Sequence, residues 1–500
     1  MRTQRNALLC LVAIATLTLA AADSAFAQKS FGRGVSSNIG GTRPQGPSGG
    51  GNYGGGGYRG GWGVAVPGAL MTIPGMVPAQ GGQYYVDDGA NYGGGPGPRQ
   101  SQNSPRRGPS GAPSANERRL VPDEVVIEIS NTVSPPAIDA LQRRFRLTQI
   151  ESQAVQLTGT TLYRWRIPDR RSVTTVVRAL EGDALVASAQ PNYLFILQQN
   201  DSAAAAEGDP AQYELAKLRL PQAHTIAKGD NILVAVIDSG IDASHPELAG
   251  AIAQTYDAIT TPMAPHKHGT AIAGLIVAHG KLMGAAPSAR ILAIRAFDPK
   301  DAGAQGTTFN ILKGLDWAAA NGARVVNMSF AGPDDPAIHR SLDAARKKGI
   351  VLVAAAGNAG PKSPPLYPAA DPNVIAVTAT DADDRLFEQS NRGRYISVAA
   401  PGTQILVAIP DGGYEVASGT SYSAAEVSGI VALMLERKGN LTPDQVRGIL
   451  RATAKDLGPK GHDNMFGAGL ADAYGALMAE ETPRTTARPR PIERVSAGAR

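Results

Sequence analysis

Apolar and polar positions divide the chain into an unpatterned beginning, two patterned stretches and an unpatterned end. Between Leu120 and about Gln199, Val125–Ile129 and the alternating Leu162–Ile167 read as strands. Pro136–Phe145, opened by Ser134-Pro135-Pro136, and Ser172–Leu180 read as helices, and Leu185–Leu197 holds further strand. This β-α-β-β-α-β order predicts a small ferredoxin-like α+β domain. From about Tyr213 to Glu480 the runs Ile232–Ile237, Ala289–Ala296, Arg324–Met328, Val351–Ala356 and Val374–Thr378 are short, apolar and rich in β-branched residues. Such runs suit strands covered on both faces. Helical stretches lie between them, at Gly269–Val277, Thr308–Ala320, Ile338–Lys347 and Thr442–Ala454. Val427–Leu435 is apolar on nearly every side, as in a helix buried all round. An α/β domain with a mainly parallel sheet and helices on both faces follows, preceded by the small α+β domain.

Composition confines folding to that middle. Met1–Ala27 places Arg2 and Arg5 before an apolar run and ends in Ala25-Phe26-Ala27, the pattern of a cleaved secretory signal; the run is short for a membrane span. Residues 28–119 are dominated by Gly, Pro, Ser and Asn and cannot bury enough surface to offset ordering entropy, so they read as disordered. They read best as a spacer, with an adhesive role for their scattered aromatics as the alternative. Residues 200–212 form a polar, alanine-rich linker suited to a hinge or a cleavage site, and residues 481–500 a basic, proline-rich tail read as disordered. The net charge of +5 comes from these flanks, so nothing calls for nucleic acid as a partner. The single cysteine, Cys10, lies in the apolar leader, which leaves an exported chain without disulfides or a catalytic thiol. Secretion or periplasmic residence is expected.

Within the α/β stretch, four short motifs end strands or open helices, where such sheets gather their functional residues. Val236-Ile237-Asp238-Ser239-Gly240 places an acid at a strand end. Alone, Asp238 suits ribose or metal binding or a helix cap equally well. His268 in His266-Lys267-His268-Gly269-Thr270 opens an apolar helix, whose dipole disfavours the charged ring. Asn358 in Ala354-Ala355-Ala356-Gly357-Asn358 follows a buried strand and alone reads as a turn residue. Ser421 in Ser418-Gly419-Thr420-Ser421-Tyr422-Ser423 sits before the buried helix, where a serine is ordinarily an N-cap and where negative charge is stabilised.

Together, Val236–Leu248, His268-Gly269-Thr270, Ala355–Asn358 and Ser418–Ser421 resemble the subtilisin-like serine peptidases, the subtilases, over about Tyr213–Asp472. The order Asp, His, Ser is that known from subtilisin. The resemblance implies a serine endopeptidase acting through an acyl-enzyme, with Ser421 as nucleophile, His268 as general base and acid, and Asp238 orienting the imidazole. It makes Asn358 an oxyanion donor and reads His245 and Asp242 as structural. Substrate is expected to add a strand beside Phe297-Asp298 and Ser329-Phe330-Ala331. Ser329, Phe330, Ala331, Ala355, Ala356 and Gly357 would wall the pocket for the residue before the cut and favour an apolar or uncharged side chain. Asp334 and Asp335 offer a weaker case for basic ones. The stretch 120–199 is similar to a subtilase propeptide, an intramolecular inhibitor cut off by the enzyme itself near Gln199–Pro210. Partners are thus the propeptide and polypeptide substrates; calcium is common in the family, but no cofactor and no metal ligand is assignable. The chain departs from the family after the serine, where Tyr422, Ser423, Ala425, Glu426 and Ser428 replace Met, Ala, Pro, His and Ala. Ala425 is expected to loosen the turn, and Glu426 to suit the positive helix end. These departures keep open the alternative of a non-catalytic binding or envelope-associated protein with this fold.

Overall fold

The computed structural model describes residues 110–198, 212–262, 264–300 and 303–479. The expected leader, most of the Gly-rich segment, the linker with its expected cleavage region, and the basic tail lie outside the described residues.

A seven-stranded sheet organises the second half of the chain. Its order is Ile396–Pro401, Ile375–Thr380, Val351–Ala355, Val325–Met328, Leu233–Asp238, Arg290–Arg295 and Ile252–Asp257. Every pairing within it is parallel. The continuous apolar runs have a direct cause in the two covered faces. Val234 and Val236 join a core with Ile272, Ile276, Val427 and Ile430, from the helices Lys267–Val277 and Thr420–Arg437. Their neighbours Ala235 and Ile237 point the other way, into a core with Phe309, Leu312 and Leu342, from the helices Thr308–Ala320 and Pro336–Lys347. Alternate residues of one strand thus serve different cores, so no position can be polar until the strand ends at Asp238. Leu233–Asp238 is the first strand of this sheet in sequence and lies inside it, where the winding reverses direction. The carboxyl ends of the strands at such a point form a crevice.

Thr420–Arg437 is buried from Thr420 through Leu435, in keeping with its unbroken apolar sequence. The expected loosening by Ala425 does not occur: the helix runs without interruption from Thr420.

Residues 110–198 form an antiparallel sheet ordered Thr148–Val155, Thr160–Arg166, Leu120–Ser130, Val186–Leu197. The helices Pro135–Phe145 and Val173–Leu180 pack on it around the fully buried Trp165. This is the β-α-β-β-α-β arrangement expected. Its packed part begins ahead of Leu120, because the Gly111 N–H donates to Glu181 at 2.6 Å and the Leu194 N–H to the Arg119 carbonyl at 2.9 Å.

The strand Val186–Leu197 outruns its own domain. Beyond Tyr193 it pairs antiparallel with Gly303–Thr307, with Phe195 opposite Gly306 and Ile196 opposite Gln305. Its other edge takes Phe330–Ala331, with Leu197 opposite Phe330. The expected contact with Phe297-Asp298 is displaced by one strand, since Phe297–Lys300 pairs with the far edge of Gly303–Thr307. The Gly-Ala-Gln-Gly-Thr sequence of that intervening strand carries no hydrophobic alternation; its pairing partners, not its pattern, make it a strand.

Candidate active site

Asp238 is fully buried at its strand end. Its two carboxylate oxygens lie 2.8 and 2.9 Å from His268 Nδ1, and Oδ1 also accepts from the Ser239 N–H at 2.7 Å. His268, also fully buried, stands in the first turn of Lys267–Val277. That turn is fixed by two residues absent from the expected site. His266 caps the helix by accepting from the His268 N–H, and the Ser239 hydroxyl accepts from the Gly269 N–H at 3.1 Å. Gly269 is required here: a Cβ would come within 2.8 Å of the Ser239 carbonyl, so only glycine lets the helix start approach Asp238 this closely. With Nδ1 facing a carboxylate, the imidazole keeps its proton there and leaves Nε2 as the free basic atom. Nε2 is buried and has no partner.

Asn358 follows the strand Val351–Ala355. Its side-chain carbonyl accepts from the Thr420 N–H at 3.1 Å and the Thr420 hydroxyl at 2.8 Å. Those bonds fix the amide and leave Nδ2 buried without a partner. Gly357, at φ +109°, makes the bend that presents it, and a Cβ there would meet the Asn391 side chain at 2.7 Å. The Ser421 hydroxyl is fully buried and donates to the Ser329 carbonyl at 3.0 Å. The same carbonyl accepts from the Gln198 N–H at 3.1 Å. Next to Ser421, the Tyr422 ring lies 6.2 Å from the His268 ring. Ser423 faces away and donates to the Ala400 and Pro401 carbonyls, a structural bond.

The four motifs therefore meet at the carboxyl edge of the sheet. They provide a buried acid–imidazole pair, a hydroxyl beside a bound peptide chain, and an anchored amide with a spare N–H. This is chemistry for attack on a carbonyl carbon with the developing oxyanion held by fixed donors.

Ser329, Phe330 and Ala331 flank the bound strand on one side, and Ala355, Ala356 and Gly357 lead to Asn358 on the other. Phe330 stands apart from the other five. Its ring packs edge-on to Phe195 at 5.9 Å and against Phe297 at 4.9 Å, facing the residue three before Gln198. Asp335, one of the two acids considered for basic specificity, is the N-cap of Pro336–Lys347 and is buried beneath the small domain, accepting from the Ala337 and Ile338 N–H groups and from Gln190 Nε2. Burial raises its carboxyl above the ordinary range.

The subtilase family model matches residues 229–469. A thermophilic serine proteinase of Bacillus sp. (strain AK1) is 33% identical over 367 residues, covering 71% of this chain and 88% of that protein. The chain belongs to the subtilase family. Thermitase of Thermoactinomyces vulgaris is 34% identical over 275 residues, 53% of this chain and 96% of that protein. Among solved structures, fervidolysin from Fervidobacterium pennivorans, described as a keratinolytic enzyme related to subtilisin, superposes with a TM-score of 0.62 at 26% identity. That match covers 73% of this chain and 62% of fervidolysin. The protein is a subtilisin-like serine endopeptidase.

In this subtilase, Glu426 does not serve the helix dipole as its sequence position suggested. It is 1% exposed, and its Oε2 has no partner. Burial, reinforced by the charge of Glu214, raises its pKa well above the usual carboxyl value. Glu214, on the short helix Tyr213–Lys217, is equally buried with both oxygens unpartnered, and burial pushes it up to about 7.

Subtilases are generally calcium-binding. Among the described residues no group of three or more His, Cys, Asp or Glu side chains could hold a metal ion. Glu247, a buried acid near the surface, is satisfied by the N–H groups of Gly280, Lys281 and Leu282 and by the Tyr414 hydroxyl. Among the described residues no helix is long and apolar enough to cross a membrane.

Proposed function

We propose that this subtilase is an exported peptidase made as a self-processing precursor, with Ser421, His268 and Asp238 as its catalytic relay. Ser421 attacks the peptide carbonyl while His268 Nε2 takes its proton, then returns it to the leaving amine. Asp238 holds the imidazole in the required tautomer and stabilises its cation. Asn358 Nδ2 and the Ser421 N–H receive the oxyanion. Residues 110–198 act as the propeptide, guiding folding and blocking the cleft. The observation that carries this reading is the strand Val186–Leu197, which lies between Gly303–Thr307 and Phe330–Ala331 and leads into Gln198 beside Ser421.

Support for an intramolecular guide also comes from parallel sheets themselves, whose non-local contacts form slowly. Export rests on the Met1–Ala27 pattern and on relatives named as extracellular proteases, such as the minor extracellular protease Epr of Bacillus subtilis. The intact acid–imidazole pair and the bound strand argue against a non-catalytic role. A fluorophosphonate is expected to label the wild-type protein stoichiometrically at Ser421 and to leave Ser421→Ala unlabelled and uncut. A processed Ser421→Ala chain in a protease-free preparation removes self-processing from the reading, and an unlabelled wild type removes the nucleophile.

A further inference from the structure

We infer that the precursor is first cut at the bond following Gln198, and that glutamine at this position is a specificity determinant which the mature enzyme also seeks in other substrates. The inference rests on the reading of Ser421 as nucleophile and of residues 110–198 as the enzyme's own first substrate. It locates the cut at the very start of the segment whose composition suits a cleavage site.

Register fixes the position. Ladder pairing holds Leu194, Phe195 and Ile196 against Thr307, Gly306 and Gln305, and Ile196 and Leu197 against Ala331 and Phe330. The next residue continues the ladder through its N–H to the Ser329 carbonyl. The Ser421 hydroxyl donates to that same oxygen, so the nucleophile and the Gln198 backbone share one acceptor atom. A strand held on both edges cannot slip by one residue without reversing every side chain. Such a slip would turn Phe195, which is fully buried, out of the aromatic site formed with Phe297 and Phe330. Gly332 enforces the fit, since a Cβ there would stand 2.2 Å from the Phe195 ring.

The Gln198 side chain makes two hydrogen bonds, one from the peptidase part and one back to its own strand. Its Oε1 accepts from the backbone N–H of Asn358 at 2.8 Å, and its Nε2 donates to the Ile196 carbonyl at 3.0 Å. An amide satisfies both. A glutamate keeps the first but sets a carboxylate oxygen against the Ile196 carbonyl, and an aliphatic residue leaves the Asn358 N–H without this acceptor. Because the acceptor is bound by the residue that also carries the oxyanion donor, a correct side chain steadies Asn358 as it reacts. Two positions thus carry selectivity: an amide immediately before the cut and an aromatic ring three residues earlier.

The chemistry balances without any further reactant than water. The Ser421 Oγ–H bond breaks, its proton passing to His268 Nε2, as Oγ bonds the Gln198 carbonyl carbon. The C–N bond to residue 199 then breaks, and the Nε2 proton goes to the departing amine. Water adds to the acyl carbon, giving one proton to Nε2, which returns it to Ser421 as the Gln198 carboxyl leaves.

The full-length chain should be purified, allowed to process, and both products analysed by intact mass and N-terminal sequencing, with fluorophosphonate labelling of the same sample. A propeptide ending at Gln198 and a new N-terminus at position 199 are expected. Labelled protein cut first at any other bond, or left uncut, overturns the inference while leaving the nucleophile in place; an unlabelled chain fells the underlying reading and the inference with it. Specificity is read separately with fluorogenic tetrapeptides bearing the Phe195–Gln198 sequence. Replacing the final Gln by Glu or Leu is expected to lower kcat/KM at least about tenfold, and replacing Phe by Ala about 10- to 100-fold. Equal or faster cleavage of the Glu or Leu peptide overturns the glutamine preference.

Discussion

Buried polar atoms without partners occur in two neighbourhoods of the helix Thr420–Arg437, and they have opposite meanings. At its start, His268 Nε2 and Asn358 Nδ2 are unpaired while every other polar atom of those side chains is held. One turn further on, Glu426 Oε2 and both oxygens of Glu214 are unpaired with nothing anchoring them at hydrogen-bond distance. An unpaired buried group costs about 1–3 kcal/mol. At the site, the proposed relay supplies the missing partners: the Ser421 hydroxyl for His268 Nε2 and the substrate oxyanion for Asn358 Nδ2. Behind it, the acids lower the cost by keeping protons, as their raised pKa values state. Fixed orientation, not the absence of a partner, distinguishes a working group from a buried burden.

The largest expected effect tests the first neighbourhood. His268→Ala should reduce kcat by about 10⁴- to 10⁶-fold with little change in KM, since a relay fails as a unit; steady-state kinetics on a peptide substrate decide it. Asn358→Ala should lower kcat about 10²- to 10³-fold, the loss known for the matching oxyanion donor of subtilisin. A comparable loss in KM instead would make Asn358 a binding residue only.

The second neighbourhood predicts a pH effect of a definite sign. Both glutamates have folded-state pKa values above the ordinary 4.5, so the folded protein holds protons that the unfolded chain releases. Their contribution is intact below pH 4.5 and is lost as pH rises towards about 7, with Glu426 extending the loss further. Glu426→Gln should therefore gain roughly 1–3 kcal/mol of stability above neutral pH and little below pH 4.5. Denaturant melts at both pH values, with kcat unchanged, would sharpen the contrast; equal shifts at both would break it. The smallest effect concerns the docked domain. On the proposed propeptide role of residues 110–198, Arg340→Ala, which removes a partly exposed pair with Glu128, should weaken rebinding of that isolated segment by only about two- to fivefold, read from the inhibition constant.

Much of this was legible in the sequence. The parallel sheet followed from strands without polar positions, and the convergence of Asp238, His268, Asn358 and Ser421 from motifs at strand ends and helix starts. Three features were not. The strand Gly303–Thr307 has no hydrophobic pattern because two other strands supply its order. Glu426 reads as a helix-start acid in isolation, but the sequence does not reveal that Tyr213–Lys217 packs a second glutamate nearby. Ser239 and His266, which hold the first turn of Lys267–Val277, lie within two residues of Asp238 and His268; the signal was that proximity, with no chemistry to mark them.

Asp335 ties the small α+β domain to the start of a helix in the larger one. Its carboxyl is covered in the presence of Gln190, which donates to it while accepting from Ala337, so the buried acid caps its helix with its proton affinity raised. Departure of the small domain takes the Gln190 amide from that acid and leaves it the Thr308 hydroxyl and the Ala337 and Ile338 N–H groups. Docking of the small domain and capping of the helix Pro336–Lys347 are therefore coupled through one glutamine side chain.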